Sequence, residues 1–150
     1  MHFMRRTKSK KGTIAFKIDL EKAYDRVDWM FLEHALSSFG FPSLSIRLIM
    51  NCVKAFWLSI LWNGDKLDGI HPRRGLRQGD PMSPYLFVIC MEMLACFINR
   101  QVQEGVWDPV AVSRGGPRIS HLMFVDDLLL FVKLERGRFS KSCPPWAFYM

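Results

Sequence analysis

Acidic residues are absent from the first eighteen positions of this 150-residue chain: six Lys or Arg residues precede Asp19. The same stretch lacks the apolar core of a secretory signal, so we expect a nuclear or cytoplasmic protein that is not secreted, with a mitochondrial presequence as the alternative. Over the whole chain, 21 basic residues against 14 acidic ones give a net charge of +7. Such a balance favours a polyanionic partner, nucleic acid or an anionic membrane surface.

Cysteines are few, and long apolar runs are missing. The four cysteines, Cys52, Cys90, Cys96 and Cys143, show no CxxC spacing, which predicts reduced, structural thiols. No apolar run reaches the roughly 18 to 20 residues of a bilayer span, because Glu92 interrupts the longest helical candidate. We therefore expect no membrane partner, which leaves nucleic acid.

An unusual acidic pair stands among the apolar residues, which make up 49% of the chain. Residues 119–132 form two apolar runs around adjacent Asp126 and Asp127. Neighbouring aspartates repel each other and resist burial unless a cation lies between them. The segment 13–20 is β-branched and apolar, predicts a strand, and ends near Asp19. If these strands are adjacent, the carboxylates can approach the ~4 Å spacing of a two-metal pair. Such oxygen ligands suit Mg²⁺ and point to phosphoryl or nucleotidyl transfer, although a solvated Asp-Asp turn is the alternative.

The remaining pattern predicts helices and one further hairpin. Asp28 is placed as the N-cap of a helix with Leu32, Ala35, Leu36 and Phe39 on one face, and Gly40 ends it. A second helix opens at Ser43, with Ile46, Ile49, Met50 and Val53 on its apolar face. Asn63-Gly64 predicts a type I′ turn between strands 56–62 and 66–70.

A loop with three arginines and no period covers residues 73–82. Ser83 is then predicted as the N-cap of a long helix that ends before Gly105. We expect a basic, loop-like lead-in over residues 1–12 and little fixed structure over the tail 135–150.

Three segments together resemble the reverse transcriptases, or RNA-directed DNA polymerases, of non-LTR (LINE-type) retrotransposons, particularly those of plants. They are Lys-Ile-Asp-Leu-Glu-Lys-Ala-Tyr-Asp-Arg-Val (17–27), Arg-Gly-Leu-Arg-Gln-Gly-Asp-Pro-Met-Ser-Pro-Tyr-Leu-Phe (74–87) and Phe-Val-Asp-Asp (124–127). The resemblance implies a partial reverse transcriptase domain, fingers remnant and palm, over residues 1–134, with a divergent tail over 135–150. It also implies an α+β fold in which a palm-like antiparallel sheet carries helices packed on one face.

The resemblance assigns roles to the carboxylates. Asp19 and Asp126 would bind two Mg²⁺ ions, or Mn²⁺ as the alternative, with Asp127 as their partner and the Leu20 carbonyl as a further ligand. One ion would lower the pKa of the primer 3′-hydroxyl, and the other would neutralise the triphosphate. The partners implied are an RNA template, a DNA primer and dNTP.

Nucleotide-binding residues follow from the same resemblance. Backbone amides around Lys22 and Ala23 would contact phosphate oxygens, and Tyr24 would exclude a ribose 2′-hydroxyl by its bulk. Gln78 and Gly79 match the pair that contacts the incoming nucleotide. Phosphate contacts to template or triphosphate are predicted for three loop arginines: Arg73, Arg74 and Arg77.

Two other functions stay open at this point. Because only eighteen residues precede Asp19 and no thumb follows residue 134, the chain could be a catalytically inactive retrotransposon relic that binds nucleic acid. A metal-dependent nuclease or phosphatase could also use clustered aspartates, but it would leave Tyr24 and Gln78 without a role.

Overall fold

The computed structural model of the chain describes residues 12–113 and 115–134. They form a mixed α+β fold whose sheets are antiparallel. In chain order the elements are β1 (Gly12–Asp19), α1 (Ala23–Arg26), α2 (Trp29–Ser38), α3 (Ser43–Lys54), β2 (Leu61–Trp62), β3 (Asp65–Lys66), α4 (Ser83–Gln103), β4 (Val110–Ala111), β5 (Arg118–Ile119), β6 (His121–Phe124) and β7 (Asp127–Leu134).

The chain divides into two compact units. One, the sheet unit, comprises the described residues of Met1–Glu21 and Leu94–Met150, and the other, the helical unit, comprises Lys22–Met93. In the sheet unit, β7 pairs with β1 on one side and β6 on the other. Leu128 on β7 is fully buried, and the indole Nε1 of the buried Trp107 donates to the Phe131 carbonyl at 2.9 Å. Leu130 is buried as well, and the intervening Leu129 is less so, so the alternation of side chains along β7 gives it one buried apolar face.

The helical unit is built on an apolar cluster. Asp28 caps α2 as predicted, its Oδ1 accepting from the amides of Met30 at 2.8 Å and Phe31 at 3.0 Å. At the other end, Gly40 (φ +80°) allows the paired hydrogen bonds of a Schellman motif, Phe41 N–H to Leu36 O and Gly40 N–H to Ser37 O. The buried members of the cluster are Val27, Leu32, Leu36, Met50, Val53, Leu76, Leu86, Phe87 and Cys90.

The Asn63-Gly64 turn forms as predicted. Asn63 (φ +50°) and Gly64 (φ +91°) both have positive φ, as a type I′ turn requires, and they join β2 to β3. The flanking strands are shorter than predicted, with a further isolated bridge between Leu58 and Ile70.

The start of α4 differs from the prediction. Ser83 is its first helical residue and is buried, and it is Asp80 that accepts hydrogen bonds before the helix: its Oδ1 from Met82 N–H at 2.8 Å and its carbonyl from Ser83 N–H at 3.1 Å. The predicted end is correct, since Gly105 (φ +71°) follows the last turn. By length and composition alone α4 could cross a membrane, so the prediction that Glu92 excludes a membrane span is wrong. In the structure 33% of the apolar stretch of α4 is buried. The core helices of soluble proteins pass the same test of length and composition.

Phe39, predicted on the core face of α2, follows the helix and is 40% exposed, because the chain has already turned towards Gly40. Between α4 and β6 the chain forms the short antiparallel β4–β5 pair, in which Val110 is opposite Ile119. The predicted lead-in and tail, apart from Gly12, lie outside the described residues.

Candidate active site

The early and late carboxylates meet at one end of the sheet unit. Asp19, the last residue of β1, is the Cα partner of Asp127, the first residue of β7. The turn Val125–Asp126 joins β6 to β7, and the Asp126 carbonyl accepts the Leu20 amide at 3.1 Å. Directly opposed residues of an antiparallel pair present their side chains on the same face. Asp19 and Asp127 therefore share one face of the sheet, with Asp126 one residue away.

A lysine also lies in this acidic group. Lys17 Nζ is 2.9 Å from Asp127 Oδ1, and both side chains are partly exposed, at 61% and 43%. The hydrogen bond and the negative charge of Asp127 raise the pKa of Lys17, and the charges of Asp19 and Asp126 act in the same direction. All three carboxylates are thus within electrostatic reach of one ammonium group.

The donor chemistry of this group fits a hard divalent cation, since Asp19 and Asp126 offer exposed carboxylate oxygens. A preformed site is not present, however. Within residues 12–113 and 115–134, no three His, Cys, Asp or Glu side chains stand close enough together to hold a metal ion. The sheet therefore brings the predicted carboxylate ligands to one of its ends, but it does not arrange three of them around one metal position.

In the helical unit, the arginine-rich loop is attached to the segment that follows Lys22. Gly75 N–H donates to the Val27 carbonyl and Leu76 N–H to the Tyr24 carbonyl, each at 2.8 Å. The Trp29 indole Nε1 donates to the Gly75 carbonyl, also at 2.8 Å. These bonds hold together two segments that are about fifty residues apart in sequence.

Gly75 and Trp29 are residues that sequence analysis missed. Gly75 has φ +96°, and a Cβ there would lie 2.9 Å from the Asp25 carbonyl oxygen and 3.1 Å from the Asp25 Cα. The Arg-Gly pair in an aperiodic loop was a signal for positive φ, but nothing local identified Asp25 as the neighbour. Only a residue without a side chain fits between these backbones.

The predicted nucleotide-binding residues lie in this same unit. Tyr24 stacks on Phe87, and Gln78 Nε2 donates weakly to Asp25 Oδ1 at 3.4 Å. Lys22 adopts a left-handed conformation (φ 54°, ψ 44°) before α1, and its carbonyl accepts the amides of Asp25 at 2.9 Å and Arg26 at 3.1 Å. Gly79 has φ +87° with open space around it.

The loop arginines are available to a ligand. Arg73, Arg74 and Arg77 are all exposed, and none forms an ion pair with another residue of the described ranges. In contrast, Arg118 forms an ion pair with Asp108 at 2.7 Å, and Lys133 forms one with the same carboxylate at 3.2 Å. Unpaired guanidinium groups on one loop suit phosphate oxygens.

The sequence is similar to those of known proteins. The sequence profile described as "Reverse transcriptase (RNA-dependent DNA polymerase)" matches residues 2–141. The chain is 32% identical over 127 residues to a retrovirus-related Pol polyprotein from the type-1 retrotransposable element R2 of Popillia japonica, a match that covers 85% of this chain and 20% of the polyprotein. It is 46% identical over 72 residues to an uncharacterised mitochondrial protein of Arabidopsis thaliana, covering 48% of this chain and 59% of that protein.

A solved structure shares the fold. Apo telomerase from Candida tropicalis, truncated from its C-terminal domain, superimposes with a TM-score of 0.61 at 14% identity. The superposition covers 86% of this chain and 26% of the telomerase chain. The α+β, polymerase-like architecture predicted from sequence is thereby confirmed.

Proposed function

Because this chain belongs to the reverse transcriptase (RNA-dependent DNA polymerase) family, we propose that it is part of the palm of an enzyme that adds deoxynucleotides to a primer 3′-hydroxyl. The observation that carries the proposal is the pairing of β1 with β7, which sets Asp19 opposite Asp127 beside the Val125–Asp126 turn. That pairing joins two of the three sequence segments that carry the family resemblance. An RNA template, a DNA primer and dNTP are the proposed ligands.

The carboxylates are the proposed ligands of two Mg²⁺ ions, for which Mn²⁺ could substitute. Asp19 and Asp126 would hold them, with the Leu20 carbonyl as a further donor and Asp127 as the partner carboxylate. When bound, such ions supply activation of a hydroxyl nucleophile and neutralisation of phosphate charge. The protein's own contribution is to fix the strand ends, since paired backbones leave little freedom to Asp19 and Asp127.

Residues of the helical unit are the proposed nucleotide contacts. Backbone N–H groups around Lys22 and Ala23 are the proposed donors to phosphate oxygens. Tyr24, supported by Phe87, would exclude a ribose 2′-hydroxyl by contact, which makes selection of deoxynucleotides steric. Gln78 can release its weak hydrogen bond to Asp25 for a nucleotide, and the open space at Gly79 permits close approach of a ligand to the backbone.

The template and triphosphate would be held electrostatically. Arg73, Arg74 and Arg77 are the proposed phosphate contacts, in keeping with the net charge of +7. Charge contacts of this kind position a nucleic acid without reading its sequence. Binding should accordingly weaken as salt concentration rises.

Primer extension tests the proposal. The full chain is incubated with an RNA template, an annealed DNA primer, dNTP and Mg²⁺, and compared with Asp126→Asn. Loss of even an outer-shell partner of a metal site costs about 10- to 100-fold, so we expect at least about a 100-fold loss in Asp126→Asn. Asp108→Asn is the matched control, because it removes a carboxylate of the same unit that pairs with Arg118 and Lys133 instead. Extension that survives Asp126→Asn contradicts the proposal.

A second candidate, a catalytically inactive relic that binds nucleic acid, has one observation in its favour. The described residues hold no three-carboxylate metal group. This candidate predicts salt-sensitive binding of RNA or DNA without extension in any variant. The nuclease or phosphatase alternative has no such support, since no relative named above is described as either.

A further inference from the structure

Lys17 and Asp127 form a diagonal pair across two strands of the sheet unit. Lys17 and Asp19 are two residues apart on β1 and therefore share a face. Lys17 is the Cα partner of Leu129, two residues beyond Asp127 on β7, so its side chain reaches diagonally to Asp127 on that face. The resulting Nζ to Oδ1 distance of 2.9 Å is that of a charge-assisted hydrogen bond.

This pairing divides the three carboxylates into two groups. Asp127 forms an ion pair with the Lys17 ammonium group, whereas Asp19 and Asp126 interact with Lys17 through longer-range electrostatic attraction. A divalent cation that bound Asp127 at Oδ1 would meet the Lys17 ammonium and would have to displace it. Cations that bound Asp19 and Asp126 alone would leave the ion pair in place.

We propose that Lys17 is a positioning residue that acts as the internal counter-ion of the acidic turn, holding Asp127 and competing there with the divalent cation. Asp19 and Asp126 are then the cation-facing carboxylates, and Asp127 acts through Lys17. This inference rests on the proposed function for the identity of the cation.

Cation binding to the full chain tests the proposal without any measurement of catalysis. Mn²⁺ is titrated into wild type and Lys17→Met, and the free ion is followed by electron paramagnetic resonance. Removing the competing positive charge should tighten Mn²⁺ binding about two- to fivefold, the range of an exposed ion pair. The difference should shrink at high salt, because both side chains are partly exposed. Unchanged or weaker binding by Lys17→Met overturns the proposal.

Thermal unfolding supplies the second measurement. In EDTA, Lys17→Met should unfold about 1 to 4 °C below wild type, because the three carboxylates lose their counter-ion. Saturating Mn²⁺ should close that gap, since the cation replaces the lost positive charge. A gap of the same size with and without Mn²⁺ would show a merely structural ion pair and would contradict a counter-ion role.

Two variants control the experiment. Lys133→Met removes a different ion pair of β7, between Lys133 and Asp108, and should lower the unfolding temperature while leaving Mn²⁺ affinity unchanged. Lys17→Arg keeps the positive charge and should keep wild-type affinity. If primer extension is active but Lys17→Met binds Mn²⁺ as wild type does, only the counter-ion inference fails. If Lys17→Met binds Mn²⁺ more tightly but no variant extends a primer, the inference stands and the polymerase proposal fails.

Discussion

The ring of Tyr24 lies against the ring of Phe87, with centroids 4.6 Å apart and planes 15° from parallel. Phe87 is 4% exposed and belongs to the core cluster of the helical unit. Its side chain therefore cannot move without disturbing the core. The position of Tyr24 is thus set by a buried residue that lies more than sixty positions away in the sequence.

From this stacking we predict how Tyr24 controls sugar selection. Tyr24→Ala should raise incorporation of ribonucleotides relative to deoxynucleotides by at least about tenfold, because the steric block to a 2′-hydroxyl is removed. Tyr24→Phe keeps the ring and its stacking, so its selectivity should stay near that of wild type. Single-nucleotide primer extension with dNTP and rNTP measures both. Unaltered selectivity in Tyr24→Ala would remove Tyr24 from the nucleotide site.

Gly75 should be more sensitive to substitution than Gly79. Both have positive φ, but only at Gly75 would a Cβ meet backbone, at 2.9 Å from the Asp25 carbonyl oxygen. Gly79→Ala should lower the free energy of unfolding by about 1 to 2 kcal/mol through backbone strain alone. Gly75→Ala should lower the free energy of unfolding by at least about 1 kcal/mol more than Gly79→Ala does, because the new Cβ forces the backbones of Gly75 and Asp25 apart. Urea unfolding of both variants decides this, and equal losses would show that the close approach is unimportant.

Val125 is strained in the acidic turn. Its φ is +53°, although the residue is β-branched, and its side chain is 59% exposed. Asparagine tolerates this conformation better, as Asn63 does at φ +50°. Val125→Asn should therefore raise the free energy of unfolding by about 0.5 to 1 kcal/mol.

The reciprocal change, Asn63→Val, serves as the control for the Val125 prediction. It places a β-branched residue at positive φ and should lower stability by about 1 kcal/mol. Thermal and urea unfolding measure both variants. Destabilisation by Val125→Asn would mean that contacts of the valine outweigh its strain.

Cys90 should make stability depend on alkaline pH. Burial raises the pKa of its thiol from 9.0 to about 12. Between these values the unfolded chain releases the proton while the folded chain keeps it, so stability falls as pH rises above 9. In this range the free energy of unfolding falls by up to about 1.4 kcal/mol per pH unit.

The comparison variant for this pH effect is Cys90→Ala. It should be less stable at pH 8 because it leaves a small cavity, and it should lose less stability than wild type between pH 8 and pH 10.5. Urea unfolding across this pH range gives both slopes. Parallel slopes would show that Cys90 ionises alike in the folded and unfolded chain.

Helix ends and turns were predictable from sequence because their causes are local. The Asp28 cap, the Gly40 stop and the Asn63-Gly64 turn each depend on residues within a few positions. A local rule failed at the start of α4, where Ser83 is the first helical residue and Asp80 accepts hydrogen bonds from the Met82 and Ser83 amides. The roles of the predicted site residues stay predictions.

By itself, the sequence determined the order of most secondary-structure elements, the positive charge and the three segments that mark the family, because periodicity, capping and composition are properties of neighbouring residues. Only the tertiary structure decided that Asp19 lies opposite Asp127, that Lys17 pairs with Asp127, and that Gly75 contacts Asp25. The reason is physical: strand register and the close approach of distant backbones depend on contacts between residues about fifty to a hundred positions apart, which no local pattern specifies.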